Sequence, residues 1–476
     1  MSIHWLDYAI IILYFFVVVY IGYWAMKKVT NFDDYAVAGR GLPMSIFFAA
    51  IAATLCGGGA TIGRVSFMHT TGIVVFAGLI GVVINQIFSG LYIAGRVHNI
   101  KNVYSVGDLF GLYYGRAGRL VSSIVCFFFC LGLYGVQMLA MGAILQTAVG
   151  IDLIPAALIS SVITLAYTWS GGMLAVTMTD AVQYVIIIIG VSLCGYLAID
   201  HLGGFDAMMA TLNAMPRYEN NLKLFSGWGP IQFAGLFLSF LFGEFCAPYF
   251  IQRYASTKSA KDSKNGLLIF GVHWIFFMAT TAAIGLASMA IQPDVKPDLA
   301  FTNLIRDILP PGITGLVFGA LLAAVMSTGA AMINTSAVIY TRDIYNKFIN
   351  TAATQADLLR QSRLSTLVVG GISIGVAIIF QDVFGLMIYM FKLWPSAILP
   401  PLMCGLLWGK ISPYAGAPAV IAGGLSFFLW SDKVLGEPFG IPANFIGIGM
   451  NCLVLFFVHQ KMKGHKPEGP FLPDLN

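Results

Sequence analysis

Two hydroxyl side chains in one apolar segment could bind a small cation. The segment LLAAVMSTGAAMINTSAVIYTRDIY runs from Leu321 to Tyr345. Ala324, Ser327 and Thr328 stand at positions i, i+3 and i+4, so a helix would place them on one face. Two hydroxyl oxygens and a backbone carbonyl are hard ligands that suit such a cation without any formal charge. The same spacing also fits hydroxyls that hydrogen-bond back to their own helix, and both interpretations stay open.

A carboxylate in a second apolar segment could bind a cationic group of a solute. In FGEFCAPYFIQRY, Glu244 lies between Gly243 and Pro248, two residues that interrupt helices. A carboxylate inside a membrane costs several kcal/mol unless it is paired or hydrated. The carboxylate therefore either meets a cationic solute or forms a structural ion pair with Arg64 or Lys392.

A run of three glycines marks a place where a helix could unwind. The run lies in ATLCGGGATIG, Ala53 to Gly63, and each glycine costs a helix about 1 kcal/mol relative to alanine. Membrane helices break at mid-bilayer only where the freed backbone lines a cavity or packs in protein. Transporters use such breaks to turn carbonyls toward a cation and half-helix ends toward the substrate. Close packing of helices through small residues is the alternative.

The composition predicts an all-α polytopic membrane protein. Of 476 residues, 58% are hydrophobic and 10% are charged, with a mean hydropathy of +0.83. A soluble chain of this length would carry about 25% charged residues. We expect one transmembrane domain over residues 1–476, without a separate soluble domain. The seven cysteines all lie in apolar stretches, which argues against a disulfide or zinc framework.

Thirteen transmembrane spans are predicted from the apolar stretches. They cover residues 6–26, 45–68, 73–95, 118–148, 153–169, 178–199, 230–252, 267–292, 311–341, 364–381, 384–408, 413–431 and 440–459. Nineteen lysines and arginines then fall on one side of the membrane and five on the other. Since basic residues favour the cytoplasmic side, we predict a cell-membrane protein with its N-terminus outside and its C-terminus inside. The same distribution argues against nucleic-acid binding, because the basic residues form no single stripe.

Several motifs resemble those of the sodium/solute symporters, which include sodium/proline, glucose, pantothenate and choline carriers. The motifs are NFDDYAVAGRGL after the first span, SGGMLAVTMTDAVQ before the sixth, IQRYAS at the end of the seventh and LAAVMSTGAAMINTSAVIYTRDIY in the ninth. The likeness runs to about the twelfth span. It implies a LeuT-type fold with two inverted five-helix repeats, 45–199 and 230–408, each opening with a broken helix. Residues 409–476 would add C-terminal helices and a short cytoplasmic tail.

The resemblance also implies a sodium (Na+) site between the broken second span and the ninth span. Its ligands would be three carbonyls and two hydroxyls, from Ala53, Cys56, Ala324, Ser327 and Thr328. Some members of the family hold a second sodium with further hydroxyls and an aspartate of the sixth span. Asp180 is present, but the hydroxyl positions are occupied by Gly329, Ala330 and Ala331. A second sodium is therefore in doubt, and Asp180 is a candidate gating or second-ion residue.

A substrate pocket would lie between spans 2, 3, 4, 7 and 11 in this fold. The candidate substrate-binding residues are Glu244, Tyr134, Gln137, Arg64, Gln86, Phe245 and Lys392. Each of them also fits ordinary core packing or, for the charged ones, a structural pair. We prefer an amine, an amino acid or another zwitterion as the substrate. A neutral or carboxylate metabolite, with Arg64 binding the carboxylate, is the alternative.

The resemblance implies a sodium-coupled secondary symporter that imports a small polar solute by alternating access. Its partners would be Na+, the solute and the lipid bilayer, while the sequence predicts no oligomeric state. An enzyme is disfavoured because the chain has no H-E-x-x-H or G-x-G-D motif. A channel would need a continuous polar lining or filter, whereas the polar residues here cluster at the breaks. Without a P-loop, an ion gradient must drive the transport.

Overall fold

The computed structural model describes residues 3–225, 227–380 and 382–473, and these residues form an all-helical protein. The helices are α1 (Trp5–Met26), α2 (Phe32–Val37), α3 (Met44–Leu55), α4 (Arg64–Thr71), α5 (Val74–Phe88), α6 (Ala94–Asn99), α7 (Val106–Val149), α8 (Leu153–His201), α9 (Phe205–Asn213), α10 (Pro230–Phe242), α11 (Pro248–Ser256), α12 (Ala260–Ile291), α13 (Ala300–Ile308), α14 (Ile313–Ile339), α15 (Gln355–Phe380), α16 (Val383–Ala397), α17 (Leu399–Met403), α18 (Gly416–Trp430) and α19 (Ala443–Lys461). Wider π-helical turns at Ser89–Ile93, Tyr340–Ile349 and Cys404–Trp408 continue α5, α14 and α17, and another at Gly59–Gly63 leads directly into α4.

The predicted spans coincide with these helices, apart from residue 381, which lies outside the described residues. Among the described residues, eight helices are long and apolar enough to cross a membrane, or ten if each of two bent helix pairs counts as one span. The difference from thirteen has three sources. The fifth and sixth predicted spans are the two halves of the single helix α8. The seventh is divided into α10 and α11, which are both too short to be counted. The tenth corresponds to α15, which is not among the eight helices.

The long helix α8 reverses direction at Gly172, which adopts φ +52° and ψ −142°. The Tyr167 hydroxyl donates to the Met326 carbonyl at 3.0 Å, and Gln183 Nε2 donates to the Tyr14 hydroxyl at 2.7 Å. The Tyr14 hydroxyl in turn lies 3.6 Å from the sulfur of Met326. Sixteen residues of straight helix would separate Tyr167 from Gln183 by about 24 Å. Because both side chains meet the same neighbours, the two halves of α8 run side by side.

Two breaks appear at the predicted places. Helices α3 and α4 meet at an angle of 55° across the glycine run. Helices α10 and α11 are separated by the five residues from Gly243 to Ala247, and Cys246 there adopts φ +55°. Pro248 begins α11, where its missing N–H costs no helical hydrogen bond.

A further break between α16 and α17, bent by 53°, was not predicted. It falls at Ile398, between Pro395 inside α16 and Pro400 in the first turn of α17. Proline cannot donate a helical hydrogen bond and its ring clashes with the preceding turn. The sequence contained this signal in LWPSAILPP.

Helix α14 forms the centre of the fold. Together with its π-helical extension, α14 covers Ile313–Ile349, and 94% of the residues in the most apolar stretch of this helix are buried. In the most apolar stretch of α1, 28% of the residues are buried. Helix α1 therefore contacts lipid along much of its length. The Ser327 and Thr328 hydroxyls project from α14, the helix with the most completely enclosed surface among those that could span the membrane.

Candidate functional site

The Ser327 and Thr328 hydroxyls meet the carbonyls at the end of α3. The Ser327 hydroxyl can donate a hydrogen bond to either of two carbonyls, because its Oγ lies 2.9 Å from the Ala53 oxygen and 2.8 Å from the Ala324 oxygen. Thr328 Oγ1 lies 2.5 Å from the Thr54 carbonyl and 3.1 Å from that of Ala324. Each hydroxyl therefore contacts its own helix, as the back-bonding interpretation predicts, and also the broken helix, while cation binding stays a prediction. Five neutral oxygens converge at this point.

The structure adds one carbonyl to those that the sequence named, and the Cys56 carbonyl stays a predicted ligand. Cys56 lies at the break itself, where its N–H donates to the carbonyls of Ala52 and Ala53, both at 3.2 Å. The carbonyl that meets Thr328 is that of Thr54. Sequence spacing could not distinguish these carbonyls, because the last turn of α3 loses regular helical geometry before Gly57. Among the described residues, no cluster of three His, Cys, Asp or Glu could hold a metal, so a cation here would rely on neutral oxygens.

The glycine run is required for close approach as well as for unwinding. A Cβ on Gly57 would lie 2.2 Å from Thr328 Oγ1, and one on Gly59 would lie 2.1 Å from the sulfur of Met387. The N–H of Gly58 donates to Gln137 Oε1 at 2.8 Å. Gln137 thus satisfies a backbone group that the break leaves without a helical partner. The packing and unwinding interpretations of the glycines are both correct.

A central cavity opens beside these residues, between α3, α4, α5, α7, α10, α12, α14 and α16. Thr54, Gly57 and Thr328 form the part of its wall nearest to the hydroxyl pair, and Gln137 adjoins them. Most of the remaining wall is apolar: Leu79, Val82, Leu133, Phe240, Trp274, Met332, Phe384, Met387 and Phe391. The charged residues in the wall are Arg64 and Glu244.

Arg64 is a buried cation that faces this cavity. Arg64 is 2% exposed, and its Nη1 donates a hydrogen bond to Thr281 Oγ1 at 2.8 Å. The guanidinium also lies over the rings of Trp274, at 5.1 Å, and Phe277, at 6.0 Å. Within the described part of the chain it has no carboxylate within ion-pairing distance.

Glu244 lies in the unwound segment between α10 and α11 and accepts a hydrogen bond from the Tyr249 hydroxyl. It forms no ion pair with Arg64 in the described structure, although both line one cavity. The structural pair with Lys392 is also wrong, because Lys392 Nζ lies 2.7 Å from Glu437 Oε1. Glu437 belongs to a connecting loop whose position the sequence pattern did not indicate.

The structure does not bring four of the predicted substrate-binding residues into the cavity wall. Tyr134 is buried with its ring against Gly329, and Gln86 is buried beside Gly271 on α12. Phe245 packs on Phe88, with ring centroids 5.5 Å apart, and its carbonyl accepts from Trp394 Nε1 at 2.7 Å. Lys392 lines a separate vestibule. Helical periodicity does not apply to Phe245, because that residue lies in the unwound segment.

Asp180 forms a buried ion pair that sequence reasoning missed. Arg253 Nη2 lies 3.0 Å from Asp180 Oδ2 and 2.7 Å from Thr54 Oγ1. The Thr54 hydroxyl lies 3.5 Å from the same carboxylate oxygen. Arg253 stands in the quoted IQRYAS motif, one residue beyond the predicted span 230–252, where the sequence pattern offered no reason to expect a buried charge. Through Thr54, this pair adjoins the carbonyl that meets Thr328.

Stacked aromatic rings separate the cavity from the vestibule. The rings of Phe67 and Phe384 stack with centroids 4.1 Å apart, and Phe384 lines both spaces. The vestibule has an empty volume of about 2150 Å³ and includes Ser66, Asp298 and Lys392 in its wall.

Comparison with known proteins identifies the family. Residues 35–423 match the model of the sodium:solute symporter family. The chain belongs to this family. It is 25% identical to the osmoregulated proline transporter OpuE of Bacillus subtilis over 90% of this chain and 89% of that protein. It is also 25% identical to the sodium/proline symporter of Escherichia coli, over 88% and 86% of the two chains.

Solved structures agree on the fold. A Na+-coupled sialic acid symporter in a substrate-bound outward-open state matches with a TM-score of 0.80 at 19% identity, over 96% of this chain and 97% of that one. Mhp1, a nucleobase-cation-symport-1 family transporter, matches with a TM-score of 0.58 at 14% identity, over 90% and 95%. The symporter is therefore a LeuT-type, multi-pass membrane protein that couples solute transport to sodium. Sodium is a co-substrate of this transport, and the protein is not an enzyme.

Proposed function

We propose that this symporter carries a small zwitterion, such as an amino acid, together with one sodium ion. The observation behind this proposal is that one cavity contains Arg64 and Glu244, which carry opposite charges and do not pair with each other. Alternating access would then move solute and ion across the cell membrane, with the N-terminus outside and the C-terminus inside.

The argument rests on the cost of leaving these charges without partners. Removing an ionised group from water costs several kcal/mol unless an opposite charge or several hydrogen bonds compensate. Two opposite charges in one cavity would normally combine. Here Thr281 and Trp274 hold Arg64, and the Tyr249 hydroxyl holds Glu244. A solute with a carboxylate and an ammonium group would compensate both residues at once.

The candidate sodium site adjoins the proposed solute site. Thr328 and Thr54 belong to the converging oxygens and also line the cavity. Ordering of these residues by either ligand would therefore favour the other. Thermodynamic linkage requires the two affinities to rise by the same factor.

A single sodium is consistent with the surroundings of Asp180. Its carboxylate is compensated by Arg253, and Gly329, Ala330 and Ala331 offer no hydroxyl for a second ion. We propose that Asp180 acts in gating. One sodium entering down about 100 mV and a tenfold gradient releases roughly 2.3 and 1.4 kcal/mol. This energy supports accumulation of a neutral zwitterion by several hundredfold.

The relatives named above add independent support, since two of them are described as proline transporters and proline is a zwitterion. Their identity of 25% leaves the solute of this chain as a proposal. A carboxylate metabolite bound by Arg64 alone is the second candidate, because Arg64 is the more deeply buried of the two charges.

A matched set of solutes tests this proposal. Thermal unfolding of the purified symporter would be measured with proline, proline methyl ester and N-acetylproline, and with further amino acids in the same three forms. Each measurement would be made in sodium and in an equal concentration of potassium. We expect stabilisation by at least one zwitterion in sodium, and none by its ester or N-acetyl form. Equal stabilisation by the N-acetyl form would favour the carboxylate alternative, and stabilisation independent of sodium would contradict the proposed coupling.

A further inference from the structure

A basic cleft lies at one end of the helical bundle, away from the central cavity. It has an empty volume of about 890 Å³ and lies between the end of the α5–α6 helix and the first turns of α12. Arg96, Lys261 and Lys264 line it. The cleft belongs to the side of the protein on which most lysines and arginines lie. The sequence reasoning used these three residues only to predict orientation.

The two walls of the cleft are helix faces with matching chemistry. Lys261, Lys264 and Asn265 stand at i, i+3 and i+4 on α12, and Arg96 and Asn99 stand at i and i+3 on α6, so each set shares one face. The helices approach closely, since a Cβ on Gly95 would lie 3.7 Å from that of Ala260. The basic and amide groups thus converge from both sides on one space.

The cationic groups of the cleft have no acidic partner. In the part of the chain that the structure describes, none of the three basic residues forms an ion pair. Arg96 uses Nη1 to donate to the Leu406 carbonyl at 3.2 Å, which leaves its charge uncompensated. The nearby Asp262 is engaged by the Ser259 hydroxyl at 2.8 Å and does not line the cleft. Three positive charges therefore face one opening.

Apolar side chains continue from the cleft along both helices. On the α5 side, Ile80, Ile84, Ile87 and Leu91 repeat at helical spacing and are between 37% and 52% exposed. On α12, Ile269 and Val272 are 47% and 68% exposed. In a membrane protein such exposed stripes face lipid acyl chains. The cleft consequently lies where a phospholipid headgroup would be if its chains followed these stripes.

We infer that this cleft binds the headgroup of an anionic phospholipid, with its acyl chains along α5 and α12. The phosphodiester would accept hydrogen bonds from Arg96 and the two lysines. Tyr92 and the two asparagines offer further polar groups for the rest of the headgroup. Basic pockets between transmembrane helices are a recurring means of binding anionic lipids. A free phosphate would satisfy the same charges but would gain nothing from the apolar stripes.

Native mass spectrometry of the detergent-solubilised symporter tests this inference. The protein would be titrated with phosphatidylglycerol, phosphatidylcholine or inorganic phosphate. The test variant is R96Q/K261Q/K264Q, and the control K27Q/K28Q/R360Q removes three exposed positive charges elsewhere on the same side. We expect the test variant to lose one tightly bound phosphatidylglycerol, with at least about tenfold weaker binding, since each basic residue near an anionic lipid contributes about fivefold. The control should retain that lipid, and phosphatidylcholine should bind all three proteins alike.

Each other outcome would overturn the inference. Equal phosphatidylglycerol binding by wild type and test variant would exclude the cleft. Equal loss in the control would indicate a general effect of charge, and competition by millimolar phosphate would indicate a free-anion site. If the test variant does not fold, photo-crosslinking of the wild-type protein with a photoactivatable phosphatidylglycerol tests the inference instead. Labelling of residues 90–99 and 260–265 is expected, and labelling confined to other segments would contradict the proposal.

Discussion

The membrane interior contains two arrangements of opposite charge that differ in one respect. Arg253 and Asp180 are fully buried and in contact. Arg64 and Glu244 share a cavity without contact. In the closed pair each charge compensates the other, although Asp180 Oδ1, Arg253 Nε and Arg253 Nη1 have no hydrogen-bond partner among the described residues. An open pair retains unsatisfied interactions, and these are available to a ligand. The comparison teaches that the sequence position of an intramembrane charge matters less than whether its partner belongs to the protein.

The largest expected effect comes from breaking the closed pair. Arg253→Gln should lower the free energy of unfolding by about 3–5 kcal/mol, because it leaves the Asp180 charge buried without compensation. Adding Asp180→Asn should recover a large part of this loss. Thermal unfolding of the two single variants and the double variant measures the coupling.

A matched control is available in the exposed pair Arg217–Asp294, whose Nη1 and Oδ1 atoms lie 2.6 Å apart. Arg217→Gln should change the free energy of unfolding by less than about 1 kcal/mol. If Arg253→Gln were as mild as this control, the buried pair would not carry the role given to it here.

The open pair should respond in the opposite manner. Glu244→Gln and Arg64→Gln should remain folded, since neither breaks an ion pair within the protein. Each should weaken binding of a zwitterion by about 2–5 kcal/mol, which moves a micromolar affinity toward the millimolar range. Sodium-dependent binding by calorimetry measures this loss. Unchanged affinity in both variants would contradict the zwitterion proposal while leaving sodium coupling intact.

The hydroxyl pair should affect sodium more than solute. The double change Ser327→Ala with Thr328→Ala should abolish the stabilisation by sodium, and it should reduce zwitterion affinity only in the presence of sodium. Thr335→Ala, in the same helix, is a suitable comparison because its hydroxyl bonds to Gln252 at 2.7 Å instead. A double variant with wild-type dependence on sodium concentration would place the ion elsewhere.

The smallest effect is expected from the vestibule pair. Lys392 and Glu437 retain 21% and 23% side-chain exposure, so solvent screens their attraction. Lys392→Gln should cost less than about 1 kcal/mol in unfolding and should leave the dissociation constant of the solute unchanged. A large rise in the dissociation constant of the solute would indicate that Lys392 takes part in substrate binding, although it lines the vestibule.

Much of this fold was predictable because membrane insertion makes the pattern strong. Apolar stretches located the long helices that could span the membrane, and glycine and proline located two breaks. The hydroxyl face of α14 followed from helical spacing alone. The third break, between α16 and α17, was not predicted, although Pro395 and Pro400 indicate it in the sequence.

The site was less predictable where regular geometry ends. The Thr54 carbonyl that meets Thr328, and the Phe245 ring that packs on Phe88, both depend on backbone angles at the breaks that no periodic pattern describes. The partner of Asp180 lay 73 residues away in sequence, and its identity follows only from how α8 reverses at Gly172. Lys392 was expected at the substrate site, whereas in the structure it pairs with Glu437 of a connecting loop.

The glycine run and the methionines opposite it also bear on how this protein can change over evolutionary time. Gly57 and Gly58 lack room for a single added methyl group, because Thr328 and Ala140 lie against them, so drift at the candidate sodium site has almost no neutral steps. The cavity wall beyond them contains Met332 and Met387, whose unbranched side chains can repack around a ligand of another shape. A descendant of this chain could therefore acquire a different solute through changes in the flexible wall while it inherits its ion unaltered.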